Sequence, residues 1–132
     1  MRKEIDEFLK AEAFGVVGAS SDRSKYGNRV LRCYQDHGLK AVPVNPKEKE
    51  IEGTACVASV LDLPADVTSI SVITPPPVTE RVVEQAAAKR IRNVWMQPGA
   101  ESPRAVAFCR EHGINVIADG SCVLVVLGYH EH

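Results

Sequence analysis

Three stretches of this sequence combine residue types able to hold an anion or to react near one. The longest is Gly18-Ala19-Ser20-Ser21-Asp22-Arg23-Ser24-Lys25-Tyr26-Gly27-Asn28-Arg29, which follows the apolar run Phe14 to Gly18 and leads into an amphipathic segment. Small residues there let backbone N–H groups approach a phosphate closely, and the helix that follows adds its positive end and unpaired donors. Arg23, Lys25 and Arg29 contribute positive charge. The spacing is not G-x-G-x-x-G, and a glycine turn after a strand also closes α/β units that hold no nucleotide. Taken alone, the loop leaves both readings open.

The second stretch is Val44-Asn45-Pro46-Lys47. Dinucleotide-binding domains end their second strand with a carboxylate that accepts from the ribose hydroxyls. A cation in that place suits a ribose carrying a phosphate, as in NADP or coenzyme A. The competing reading is a solvated lysine opening the charged run Lys47-Glu48-Lys49-Glu50. The third stretch holds Cys122, the one residue suited to covalent chemistry. A thiol reacts as its thiolate, and Gly120-Ser121-Cys122-Val123 supplies no cation to lower its pKa, so a structural thiol is favoured over a redox one. His37 and His112 each precede a glycine at an expected helix end, where an imidazole interacts with the helix dipole. His130 and His132 lie in the tail and complete no metal-ligand set. Asp62, Asp66 and Asp119 show no spacing for joint acid–base work.

The elements that must position these residues alternate. Short apolar runs at Phe14 to Gly18, Ala41 to Val44, Ile70 to Ile73, Val94 to Met96 and Val116 to Ala118 read as buried strands. Val30, Cys33, Tyr34 and His37 define a helix from about Asn28 to Gly38. Val78, Val82, Val83, Ala86 and Ala87 define another, with Pro75, Pro76 and Pro77 blocking an earlier start. Ser102 and Pro103 open a third that Gly113 ends. Gly53 to Pro64 predicts a short edge strand near Thr54 to Val57 and one helical turn. Residues 2–10 read as an N-terminal helix, and 127–132 as a mobile tail. The expectation is one Rossmann-like α/β domain, residues 1–132, with a parallel sheet of five to six strands in the order 3-2-1-4-5-6 and helices on both faces. Ligands in such sheets lie beyond the carboxyl ends of the strands, where strand order reverses.

Composition agrees. With 45% hydrophobic and 25% charged residues, the 132-residue chain matches an ordinary globular domain. A net charge of −1 argues against nucleic-acid and anionic-membrane partners. The longest apolar run, Val123 to Leu127, falls far short of the ~20 residues that span a bilayer, and the first seven residues carry no signal core. A cytoplasmic setting with reduced thiols follows for Cys33, Cys56, Cys109 and Cys122, which show no C-x-x-C spacing.

Gly18-Ala19-Ser20, Val44-Asn45-Pro46-Lys47 and Val94-Trp95-Met96-Gln97, in that order, resemble the CoA-binding protein family, which is similar to the N-terminal domain of the succinyl-CoA synthetase α subunit. The resemblance runs from about Phe8 to Val125. It implies a coenzyme A molecule across the carboxyl edge of the sheet. The pyrophosphate would meet Gly18, Ala19, Ser20 and Ser21 and the helix start at Gly27, Asn28 and Arg29. Arg23, Lys25 and Tyr26 belong to the same binding set. Asn45, Pro46 and Lys47 would flank the adenosine and its 3′-phosphate, adenine would contact Thr74, Pro75, Pro76 and Val78, and pantetheine would pass Gln97, Pro98 and Gly99. Cys122 would lie near the cofactor thiol. Relatives place Arg-Cys after the last strand where this chain has Asp119-Gly120-Ser121-Cys122. The implied function is non-catalytic binding of coenzyme A or acyl-CoA, with no metal. A small NADP-binding oxidoreductase is the rival reading. A subunit completing an acyl-CoA ligase in trans is the third, with an ATP-grasp partner or a homodimer as the protein contact.

Overall fold

The computed structural model describes residues 2–130. Helix α1 (Arg2–Leu9) precedes strand β1 (Ala13–Val17), helix α2 (Tyr26–Asp36) and strand β2 (Ala41–Val44). A two-stranded excursion follows, β3 (Glu50–Ile51) and β4 (Thr54–Ala55), then a single 3₁₀ turn at Val60–Asp62. Strand β5 (Val67–Val72), helix α3 (Pro76–Lys89), strand β6 (Asn93–Met96), helix α4 (Pro103–Glu111), strand β7 (Asn115–Ile117) and the short helix α5 (Val123–Leu127) complete the chain.

The main sheet is parallel and runs β2-β1-β5-β6-β7. Chain order reverses between β1 and β5, which puts the switch point beside the loop after β1. Every residue of β1 is buried, as a central parallel strand requires. Its residues alternate between two cores. Ala13 and Val17 join Val44, Val60, Val72 and Val82 under α3 and α4, whereas Phe14 and Val16 join Phe8, Tyr34, Trp95 and Val123 under α1, α2 and α5.

The expected strand order holds except at one edge. In place of a third strand beside β2, the chain forms the separate antiparallel pair β3 and β4, and only Val57 bridges Val44. Val57 donates to the Pro43 carbonyl and accepts from Asn45 N–H, and the ladder stops because the next outward donor would be the N–H that Pro43 lacks. Three further boundaries differ. Helix α2 begins at Tyr26, two residues before Asn28, so Tyr26 and Gly27 are helical. Pro76 and Pro77 stand inside the first turn of α3, where a missing N–H costs nothing, so they open the helix and do not delay it. Val123–Leu127 is helix α5, so Leu127 is not tail; Tyr129 packs its ring against Arg32, while 131–132 lie outside the described residues. No helix among the described residues is long and apolar enough to cross a membrane.

Candidate functional site

The loop after β1 is a backbone structure held from both sides by asparagines. Gly18 has φ +94°, and a Cβ there would strike the Ile73 carbonyl oxygen. Gly27 sits in the first turn of α2 directly on the Gly18 carbonyl, so it too has no room for a side chain. Asn45 Nδ2 donates to the Ala19 carbonyl and Asn28 Nδ2 to the Ser20 carbonyl, both at 2.8 Å. In a trans peptide the N–H points opposite the C=O. Holding those two carbonyls therefore turns the N–H groups of Ser20 and Ser21 the other way. The Asn28 side chain is itself positioned by the buried Arg32, whose Nε donates to Asn28 Oδ1 at 2.7 Å while Nη2 reaches the Arg23 carbonyl at 3.0 Å.

The start of α2 adds donors. Its N-cap, Lys25, makes no side-chain cap, which leaves first-turn N–H groups to other partners. Farther along the loop the amides are used internally: Asp22 N–H donates to Ser20 Oγ and Ser24 N–H to Asp22 Oδ1, each at 3.0 Å. The Ser24 hydroxyl also donates to that carboxylate, and these bonds hold the exposed Asp22 carboxyl below its ordinary range. Arg23 forms an ion pair with Glu52 at 3.3 Å, and Arg29 lies over the Tyr26 ring at 5.9 Å.

Beside the loop, a cavity of about 220 Å³ opens between the carboxyl ends of β1, β2 and β5. Gly18, Asn45, Pro46, Thr74 and Val78 line it. Sequence reasoning missed its apolar wall of Val44, Val60 and Val82 and its polar pair Ser59 and Gln85, because the Val57-to-Leu63 segment and α3 meet only in three dimensions. A second cleft of about 250 Å³ is lined by Thr74, Pro75, Pro98 and Gly99. Thr74 borders both. Pockets for small ligands run to roughly 300–1,000 Å³, so each cleft has room for only part of such a molecule. Pro76 borders neither, and Lys25 and Lys47 are exposed outside both.

At the far end Gln97 is wholly buried. Its Oε1 accepts from Tyr26 Oη and from Val123 N–H, both at 2.9 Å, tying α2 and α5 to β6. Its Nε2 is buried with no hydrogen-bond partner among the described residues, and so is Arg29 Nε. Cys122 Sγ lies against Tyr26 Oη. Since Tyr26 gives its one proton to Gln97, the thiol donates to the tyrosine oxygen. Burial above all pushes the Tyr26 hydroxyl well above its ordinary range.

The other candidates fall to structural roles. His37 Nδ1 donates to the Cys33 carbonyl at 2.8 Å and His112 Nδ1 to the Phe108 carbonyl at 2.9 Å, each closing the last turn of its helix. Asp66 pairs with Lys40, and Asp119 accepts from the Ser121 hydroxyl. All four cysteines are free. A larger groove of about 640 Å³ between α3 and α4 is lined by exposed or half-buried groups such as Glu80, Arg81, Arg104 and Phe108, and lies away from the loop.

The chain is similar to several known proteins. The chain is 31% identical over 89 residues to the ADP-forming acetate–CoA ligase of Methanocaldococcus jannaschii, covering 67% of this chain and 13% of the ligase. It spans 13–28% of the length of the first ligase relatives it matches. A relative of similar size, the uncharacterized protein YneT of Bacillus subtilis, is 27% identical over 119 residues, covering 89% of this chain and 88% of that one. Among solved structures, a conserved hypothetical protein from Pyrococcus furiosus superposes with a TM-score of 0.83 at 37% identity, covering 87% of this chain and 98% of that one. A model of the CoA binding domain matches residues 12–128, which takes in the braced loop, both clefts and Gln97, and by that match the chain belongs to the CoA binding domain family.

Proposed function

We propose that this chain binds coenzyme A or an acyl-CoA along the carboxyl edge of its sheet and performs no acyl transfer by itself. The observation that carries this reading is the arrangement along that edge of the amide loop, braced by Asn28 and Asn45, beside two clefts that Thr74 borders in common. The residues present fit the cofactor. The 220 Å³ cavity with its valine wall suits an adenine ring, and Ser59 and Gln85 offer polar groups to its edge. The N–H groups of Ser20 and Ser21 and the uncapped start of α2 suit the pyrophosphate. Lys47, exposed beside Asn45 and Pro46, suits the 3′-phosphate, and the second cleft, lined by Thr74, Pro98 and Gly99, suits the pantetheine arm.

The relatives named as ADP-forming acetate–CoA ligases support a second element of this reading. An ATP-grasp subunit is the class of protein partner that would add ligase chemistry in trans. Calorimetric titration with CoA, 3′-dephospho-CoA and NADPH tests the whole. The expected result is micromolar or tighter CoA binding, weaker binding of 3′-dephospho-CoA and none of NADPH. Equal affinity for the first two removes the Lys47 role, and binding of NADPH alone overturns the reading in favour of a nicotinamide site.

A further inference from the structure

The amide that the loop turns outward at Ser21 already holds an anion. Glu48, 27 residues away on the segment between β2 and β3, places Oε2 3.1 Å from the Ser21 nitrogen and accepts its N–H. A second carboxylate from the same excursion completes the arrangement. Glu52 accepts from Arg23 Nη1 at 3.3 Å and from Asn28 Nδ2 at 3.0 Å, and its own carbonyl accepts from Gln35 Nε2 at 3.2 Å. Glu52 has φ +50°, a left-handed conformation that a non-glycine residue keeps only where its surroundings fix it. With Gly53 at φ +77° it forms the tight turn between β3 and β4, so the hairpin is latched onto α2 by a half-buried side chain. The latch sets the span of chain from Asn45 to Glu52, and Glu48 sits within it, over the loop.

We propose that Glu48 is a built-in competitor for the anion seat of the loop. Resting on the coenzyme A reading above, the proposal makes binding an exchange. A phosphate oxygen of the incoming ligand takes the Ser21 N–H, and the Glu48 carboxylate leaves it for solvent. A carboxylate and a phosphate cannot share one N–H, and two anions at hydrogen-bond distance from it repel each other. Glu52, engaged with side chains and not with loop amides, stays in place and keeps the hairpin from leaving with Glu48. The affinity of the site is thereby set from a side chain that lines neither cleft.

The test compares CoA titrations of the full chain with those of Glu48→Gln, which removes the charge, and Glu48→Asp, which keeps the charge but withdraws the oxygen by one methylene. Glu50→Gln controls for net charge, and the thermal midpoint of each variant confirms its folding. Both Glu48 variants are expected to bind CoA roughly fivefold to tenfold more tightly, the size of one charge-assisted hydrogen bond at a partly exposed site. Glu50→Gln is expected to stay within about twofold. Unchanged or weaker binding by both Glu48 variants, with the parent chain binding CoA normally, overturns the competitor while leaving the coenzyme A reading intact. An effect of Glu50→Gln as large as that of Glu48→Gln overturns it too. Failure of all four chains to bind CoA sinks both.

Discussion

The two edges of the main sheet treat their buried polar groups in opposite ways. At the amino edge, Ser69 Oγ donates to the Phe8 carbonyl at 2.8 Å and receives Asn93 Nδ2 at 3.0 Å. Asn115 Nδ2 donates to Asn93 Oδ1 at 3.0 Å and to the Glu4 carbonyl at 2.9 Å. That chain of bonds is closed on itself and fastens α1 across β5, β6 and β7. At the carboxyl edge, Gln97 Nε2 and Arg29 Nε are buried without partners, and an amide of the loop is met by a carboxylate from a distant segment. A buried polar group left unpaired costs about 1–3 kcal/mol. Among the described residues these unpaired groups lie at the carboxyl edge, the edge proposed to take the ligand, whereas the polar groups of the amino edge satisfy one another.

Four perturbations sharpen or break the comparison. The largest effect belongs to Gly27→Ala. Its new methyl would run into the Gly18 carbonyl, backbone against backbone, so we expect a loss of about 3 kcal/mol or outright failure to fold, read by chemical denaturation. Next is Asn93→Ala at the closed edge. It removes the link between Ser69 and Asn115 and leaves each with only its bond to α1, with an expected loss of about 2 kcal/mol in stability and no change in CoA affinity. A large loss of CoA binding by that variant would erase the distinction between the edges. Third, Lys47→Ala is expected to leave the melting temperature unmoved and to weaken CoA about tenfold while sparing 3′-dephospho-CoA, since an exposed lysine acts on the ligand and not on the fold.

The smallest effect is on pH dependence. Burial pushes Cys33, also faced by Asp36, and Cys109 up to about 11 from an ordinary 9.0. The neutral thiol is the form that the folded chain stabilises. The contribution is complete below pH 9 and drains away as pH rises from 9 towards 11, so the thermal midpoint should fall across that window. A Cys33→Ala, Cys109→Ala double variant should lose part of that slope. An identical slope would assign it to other groups.

Much of the fold was legible because it rests on local pattern. The five strands of the main sheet, the Ser102 cap and the glycine ends of α2 and α4 follow from apolar runs and punctuation. Ser102 Oγ does accept Ala105 N–H at 3.2 Å. Helix α5 was not legible, since five consecutive apolar residues carry neither a helical nor a strand period. The third strand failed for a different reason: Pro43 removes the donor its ladder would need. In the candidate site, the structure brings Asn45 and Thr74 beside the loop, as the sequence led one to expect, but several side-chain bonds there were not foreseen. Arg23, Asn28 and Asn45, read as ligand contacts, also bond to partners 24 to 29 residues away, which local pattern does not reveal. Arg32 went unnoticed because nothing in its local sequence marks a buried cation, and Glu48 because it sits in a run of charges that reads as solvated surface.

The most direct measurement is a titration of uniformly ¹⁵N-labelled protein with coenzyme A, followed by amide chemical shifts. The account predicts that the signals of Ala19 to Ser21, Asn45 to Lys47, Thr74, Val78 and Gln97 move together and saturate at one dissociation constant, while Ser69, Asn93 and Asn115 stay still. Shifts centred on the groove between α3 and α4, or spread evenly over both edges of the sheet, would contradict it.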